Sequence, residues 1–498
     1  MSAVKPLPLV SIILVFAIGL WALLAPDSAS DIAQSLVDRA FEGRGWFIML
    51  VVTGLLFFCF WIAVSPYGSV KLGLDDDEPE FSTPAWLAML FSAGMGVGLL
   101  FWAVAEPLSH FSTGRDFLPE PIAATTALTS TMFHWGFHAW AIYAATALVI
   151  AYFAFRKGTP MLVSAPVNAM FPDESWARIV GWLADVSAIT AIAIGVGGSI
   201  AMGVFQVADG VDLLMGGSGA GTLLVTIVFA AMAACYLPPL LVDLGSGMSR
   251  LSNIAMGLAG FLLAFVVLLG PTQYLMNAIL NGFGAYLTEV IPRGFQTFTF
   301  FDDSLGRWFH DWTLTYMVWW IAWGPFVGVF IARISRGRTI REFILGVLVV
   351  PTLFSLVWFG AFGGIGLYET LNGKGDLLAL TKENVDRVTF GLLEKLPFAV
   401  LSITATILAA FLFIVTSVVS AAFVLGTFSS GGDPEPAVGT RLTWGVILGV
   451  LGAAMIVSGS IDAIRGFIAV GALPFVFITV LIVVCFLKAL KEESHGHW

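Results

Sequence analysis

The sequence predicts an all-α membrane protein with twelve transmembrane helices, and three observations carry that reading. Of the 498 residues, 58% are hydrophobic and only 11% are charged, and the mean hydropathy of +0.93 exceeds what a water-exposed surface tolerates. Apolar runs of about 20 residues, the length that a hydrocarbon core of about 30 Å requires, recur twelve times, starting near residues 7, 45, 84, 129, 178, 220, 252, 311, 341, 397, 441 and 465. Acidic residues collect between the runs, as in Asp75, Asp76, Asp77, Glu78 and Glu80, so the formal charge of −10 describes solvated loops rather than a binding face. Membrane lipid is the expected surrounding partner, and nucleic acid is not one.

The first run, LPLVSIILVFAIGLWALLA, is too long and apolar for a signal peptide, and DSASDIAQ behind it is a poor cleavage site. It is expected to stay as a helix and to form, with the second run, an N-terminal pair over residues 1–83. The remaining ten runs divide into residues 84–290 and residues 291–488, the latter with an amphipathic connection, and a short tail covers 489–498. Basic residues at Arg156 and Lys157, at Arg333, Arg336, Arg338 and Arg341, and at Lys488 and Lys491 then share one side, which the positive-inside rule makes cytoplasmic for both termini. Lys374, Lys382, Arg387 and Lys395 fall on the opposite side, in a long loop that weighs less in this rule. Cys59, Cys235 and Cys485 lie inside apolar runs without metal-ligand or redox spacing.

The third run contains FSAGMGVGLLFWAVAEP, with Gly94, Gly96 and Gly98 in the middle of a helix pattern. Each interior glycine costs a helix roughly 1 kcal/mol. Either two helices approach closely there, or the backbone unwinds to line a cavity. Gly324-Pro325 in the eighth run, DWTLTYMVWWIAWGPFVGVFIARISR, is expected to interrupt a second helix. Each of these runs opens a set of five, three to seven and eight to twelve. Interrupted helices at matching places in two repeats point to a secondary transporter with its site between them.

Rings surround that site. In TSTMFHWGFHAWAIY, Trp135, Trp140 and Tyr143 fall within an arc of about 140° on a continuous helix. In the eighth run Trp319, Trp323 and Phe330 share a face, with Trp320 about a quarter turn away. Such rings form either interfacial belts or a box whose electron-rich faces hold a desolvated quaternary ammonium. His134 and His138 are four residues apart but lack the intervening acid of a metalloprotease helix, and are expected as hydrogen-bonded core histidines. Glu106 and Asp185 are costly in lipid, and serve either function or a pairing within the bundle.

These stretches, AGMGVG, EPL, TMFHWGFHAWAIY, WWIAWGPFVGVFIARISRGRTIREFILGV and TSVVSAAFVLG, resemble the betaine/choline/carnitine transporter family over nearly the whole chain. The resemblance implies a LeuT-type 5+5 inverted repeat preceded by two N-terminal helices, commonly assembled as a homotrimer in the bacterial inner membrane. It places a substrate box at Trp135, Trp140, Tyr143 and Trp320, with Trp323 nearby and Phe101 as a gate, and the substrate carboxylate at the backbone of Met95 and Gly96. An unwound half-helix suits an anion there, because it presents N–H groups and a positive dipole end. In Na⁺-coupled members the ion site corresponds to Ser92, Met95, Phe413, Thr416 and Ser417. Departures are Met317, where the family signature has Trp, Val418 and Val419 after the Thr-Ser pair, and apolar Ile192 and Val196 at a second ion site where Ser199 persists.

The resemblance thus implies uptake of a trimethylammonium or dimethylsulfonium zwitterion by Na⁺ symport and alternating access. The alternative is Na⁺-independent or proton-coupled choline or carnitine transport. No enzyme activity and no cofactor are expected, since no nucleophile and base converge at midplane. A passive pore predicts a polar lining in place of rings.

Overall fold

The computed structural model describes residues 6–94, 96–242, 246–373, 376–459 and 461–494. In chain order the helices are α1 (Pro6–Leu24), α2 (Pro26–Val64), α3 (Thr83–Gly94), α4 (Val97–Gly114), α5 (Glu120–Trp135), α6 (Phe137–Ala151) and α7 (Ala165–Met170). There follow α8 (Ser175–Leu214), α9 (Thr222–Tyr236), α10 (Ser246–Leu269), α11 (Thr272–Gly294), α12 (Asp303–Trp308), α13 (Thr315–Arg333) and α14 (Ile340–Asn372). The chain ends in α15 (Asp376–Glu383), α16 (Val388–Leu393), α17 (Ala399–Ser429), α18 (Val438–Ser458) and α19 (Ile461–Ser494). Among the described residues there is no β-strand, only an isolated bridge between Lys71 and Thr339.

Among the described residues ten helical segments, such as Glu120–Arg156 and Asp303–Arg333, are long and apolar enough to cross a bilayer, and Leu9–Leu24 is a shorter apolar helix. The third apolar run is split into α3 and α4 at an extended Gly96. Because lipid offers helices no hydrophobic drive to associate, close packing of small residues does that work. A Cβ placed on Gly328 would lie 3.1 Å from Thr146 Cγ2, and one on Gly324 3.6 Å from its Oγ1, so α13 lies tightly along α6.

That contact corrects the expectation at Gly324-Pro325. α13 runs unbroken through both residues, and the glycines serve approach between helices. Proline removes one N–H from a helix, but neighbouring helices and local adjustments re-satisfy the freed backbone at membrane depth. Pro107, Pro351 and Pro474 likewise sit inside α4, α14 and α19. The second interruption is instead at Gly136, between α5 and α6. α2 also begins at Pro26, well before the expected start near residue 45, since its first turns are polar but helical.

At one end of the bundle the basic clusters converge. Arg156 Nη1 meets Asp75 Oδ1 at 2.9 Å, Arg156 Nε meets Glu493 Oε1 at 2.5 Å, and Lys157 Nζ meets Glu493 Oε2 at 2.7 Å. Arg336 Nε bonds Asp77 Oδ2 at 3.1 Å and holds that carboxyl below its usual range. The acidic loop is therefore tied to its neighbours rather than merely solvated. Leu72 N–H donates to Arg338 O and Gly337 N–H to Leu72 O, both at 2.8 Å, fastening the loop after α2 to the α13–α14 turn.

At the far end α15 and α16 close over α4. Asp386, between them, has an Oδ1 shut off from solvent without a hydrogen-bond partner among the described residues. Burial and the facing Asp209 carboxylate push its pKa up to about 7, from about 4 in an unfolded chain. An acid with a raised folded pKa stabilises the fold below the unfolded value and loses that contribution as pH rises through the folded one. Relative to Asp386→Asn, the wild type should therefore lose thermal stability between about pH 4 and 7. Melting curves of both proteins across that range check the sign, and a gap that does not change with pH overturns it.

Candidate substrate site

Two helix interruptions create the site. At Gly96 (φ −112°, ψ −164°) the backbone turns extended before α4 starts. At Gly136 (φ −99°, ψ −143°) α5 stops and α6 starts anew. A side chain is not tolerated there, because a Cβ would sit 2.6 Å from Met132 O and against the Tyr286 hydroxyl. The break frees backbone groups that need partners at membrane depth. Tyr286 of α11 supplies one, its hydroxyl accepting from Phe137 N–H at 2.7 Å. Trp320 of α13 supplies another, donating Nε1–H to His134 O at 2.7 Å. The unwound turn and a ring of the site are thereby joined.

Between the two breaks lies a cavity enclosing about 460 Å³ of atom-free space, mouth included. Its walls are Trp102, Trp135, Tyr143, Tyr316, Trp319, Trp320 and Trp323, with Gly96, Val97, Gly98 and Ser199 between them. The rings meet largely edge to face: Trp135 and Trp320 have centroids 5.0 Å apart, and Tyr143 and Trp320 5.7 Å. Gly98 makes room for this, as a Cβ there would come within 3.1 Å of the Trp135 ring. The Tyr143 hydroxyl and Trp323 Nε1 are buried without a hydrogen-bond partner among the described residues.

Glu106 stands behind the rings and is fully buried. Oε1 accepts from His134 Nδ1 at 2.7 Å and His110 Nε2 at 3.2 Å. Oε2 accepts from Trp135 Nε1 at 2.8 Å and the Tyr316 hydroxyl at 2.5 Å. His110 Nδ1 accepts from Trp308 Nε1 at 3.1 Å, which fixes His110 as the neutral Nε2–H tautomer. One ligand atom from each of Glu106, His110 and His134 lies within 4.8 Å of the others, and the hydrogen bonds just given account for those atoms.

An apolar transporter-sized bundle with a ring-lined cavity at two helix breaks has a match over its whole length. Residues 6–495 match the family described as betaine/carnitine/choline family transporter. The chain belongs to the betaine/carnitine/choline transporter family. It is 39% identical to the glycine betaine transporter OpuD of Bacillus subtilis over 477 residues, 95% of this chain and 92% of that protein. Identity to a glycine betaine transporter of Acinetobacter baylyi is 37%, over 99% of this chain and 74% of that one. A glycine betaine/proline/choline/ectoine transporter of Vibrio parahaemolyticus is 34% identical, over 97% and 86%. The protein is a multi-pass membrane transporter and not an enzyme.

Within this transporter, the residues expected at the site separate into groups. Trp135, Tyr143, Trp320, Trp323 and Gly96 line the cavity. Trp140 backs it, with its ring edge-on to Tyr143 at 5.6 Å, and Phe101 packs at 4.7 Å on Trp102. The break at Gly136 accounts for Trp140: the 100° per residue of a continuous helix does not carry from Trp135 across it. Phe413, Thr416 and Ser417 lie at i, i+3 and i+4 within α17, where Thr416 Oγ1 donates to Leu412 O at 2.9 Å. Met95 and the side chain of Ser92 lie outside the described residues.

His134 is hydrogen-bonded as expected, whereas His138 is corrected: it is buried, neither ring nitrogen has a hydrogen-bond partner among the described residues, and the ring packs 4.6 Å from Phe133. Asp185 accepts from Ser164 N–H at 2.9 Å just before α7. Ile192 and Val196 are buried in α8. Tyr316 and Trp102 were not foreseen at the site. Their signal was spacing, Tyr316 four residues before Trp320 and Trp102 four after Gly98.

Tyr286→Phe should keep the ring but orphan Phe137 N–H, lowering stability by about 1 to 3 kcal/mol. Unfolding of the purified variant measures this, and an unchanged stability removes Tyr286 from the support of the break. Trp320→Phe should lose both the bond to His134 O and part of the cavity wall, weakening substrate binding by about tenfold, as read from the substrate's half-saturation in transport.

Proposed function

We propose that the protein takes up a quaternary ammonium or sulfonium zwitterion, of glycine betaine or dimethylsulfoniopropionate type, by Na⁺ symport and alternating access. The observation that carries this reading is the chemistry of the cavity wall: the aromatic faces of Trp135, Tyr143, Trp320 and Trp323 suit a cation that cannot donate hydrogen bonds. The names of its glycine betaine-transporting relatives support the same substrate class.

In this reading the cation rests among Trp135, Tyr143, Trp320 and Trp323, and the carboxylate lies toward Gly96, where the N-terminus of α4 points. The coupling ion is held by oxygens at Ser92, Met95, Phe413, Thr416 and Ser417, ligands of the kind a hard cation takes. Apolar Ile192 and Val196 limit the number of ions carried. The split α3–α4 segment and α1 complete twelve spans with the ten long helices, arranged as two N-terminal helices and an inverted 5+5 repeat of LeuT type. The transporter sits as a homotrimer in the bacterial inner membrane with both termini cytoplasmic.

Tryptophan fluorescence of the purified protein, titrated with glycine betaine, choline, carnitine and dimethylsulfoniopropionate in Na⁺ and in K⁺, tests the proposal. Saturable quenching by a zwitterion that requires Na⁺ is the expected result. Binding indifferent to Na⁺ overturns the role of Thr416 and Ser417 and favours proton-coupled or ion-independent choline or carnitine transport. Binding of none of the four overturns the aromatic-cation reading.

A further inference from the structure

We infer that Glu106 is the counter-charge of the aromatic cavity, a positioning residue that acts on a bound cation through Trp135 and Tyr316 without touching it. The inference rests on the cation-in-cavity reading above and adds the source of its electrostatic attraction. Among the described residues, no carboxylate lines the cavity. A Glu106 oxygen nevertheless lies one hydrogen bond behind two of its rings, at 2.8 Å from Trp135 Nε1 and 2.5 Å from the Tyr316 hydroxyl.

Both donors are attached directly to their rings. A hydrogen bond given to an anion polarises the donor, which deepens the negative face that a cation meets. The carboxylate also acts directly, since charge is weakly screened in an interior of low dielectric. Neither His110 nor Arg293 cancels this charge. His110 is held neutral by the Trp308 indole. His134 gives Nδ1–H to Glu106 and turns Nε2 to Thr313 Oγ1 at 2.9 Å. Arg293, on the same flank, is matched by Glu289 at 2.7 Å and bonds Ser130.

The carboxylate thus has two tasks that one experiment separates. Glycine betaine and 3,3-dimethylbutanoate share shape and carboxylate, and differ only in that carbon replaces the quaternary nitrogen. With the full-length purified protein in Na⁺, Glu106→Gln should weaken glycine betaine binding by about tenfold and leave 3,3-dimethylbutanoate binding unchanged or tighter. Tyr316→Phe, which keeps the charge and cuts one link, should weaken glycine betaine by a smaller factor and not affect the analogue.

Equal loss of both ligands in Glu106→Gln would show a purely architectural role and overturn the inference, as would unchanged glycine betaine binding. If Glu106→Gln does not fold, Tyr316→Phe decides: glycine betaine affinity equal to wild type overturns the inference. A wild type that holds both ligands equally overturns the cation reading itself, and the counter-charge with it.

Discussion

A single carboxylate with four hydrogen-bond donors organises this molecule. Burying an ionised group in a membrane protein costs several kcal/mol unless donors replace the lost water, and Glu106 recovers them from three helices: His110 of its own α4, His134 and Trp135 of α5, and Tyr316 of α13. Charge-assisted bonds of this kind are short and directional. They fix where the end of α5 stands relative to α4 and α13, and the cavity lies among those three elements together with α6 and α8. The position of Trp135 and Tyr316 at its wall follows from the carboxylate, since both rings reach the cavity while anchored by their polar edges.

The helix breaks depend on the same economy of polar groups. A backbone that leaves helical geometry in a bilayer needs other partners, and here they come from side chains at the site. Tyr286 accepts from Phe137 N–H, and Trp320 donates to His134 O. Trp358 Nε1 bonds Leu99 O and Thr389 Oγ1 bonds Leu100 O, just after the break at Gly96. The irregular turn at Gly136 therefore has partners for the groups it frees. Rigid rings and unwound backbone support one another, so the aromatic wall needs little rearrangement to keep its shape.

Much of this was legible in the sequence, for identifiable reasons. Long apolar runs mark helices because hydrocarbon thickness sets their length, and deep tryptophans in such runs mark a cavity because a belt residue would sit near an end. Depth marks Trp135 and Trp320 in this way, whereas Tyr143 and Trp323 enter by the faces they share with other rings, and the family resemblance joins the four into one box. The break at Gly136 was not legible, because TMFHWGFHAWAIY keeps an apolar helix pattern across it and only the packing against Tyr286 shows why glycine is needed. Gly324-Pro325 misled for the opposite reason: a local signal that breaks helices in water was absorbed by close packing against Thr146. Glu106 stood out by its cost in lipid, but its four partners come from three helices and no spacing rule joins them.

The two breaks also set opposite helix poles side by side. α3 ends at Gly94 and α4 begins at Val97, while α5 ends at Trp135 and α6 begins at Phe137, so each turn brings the negative pole of one half-helix next to the positive pole of another. Within a few residues the backbone thus offers both carbonyls and N–H groups beside an otherwise aromatic wall. A guest with separated charges can meet a complementary backbone group at either end, without a charged side chain in the lining.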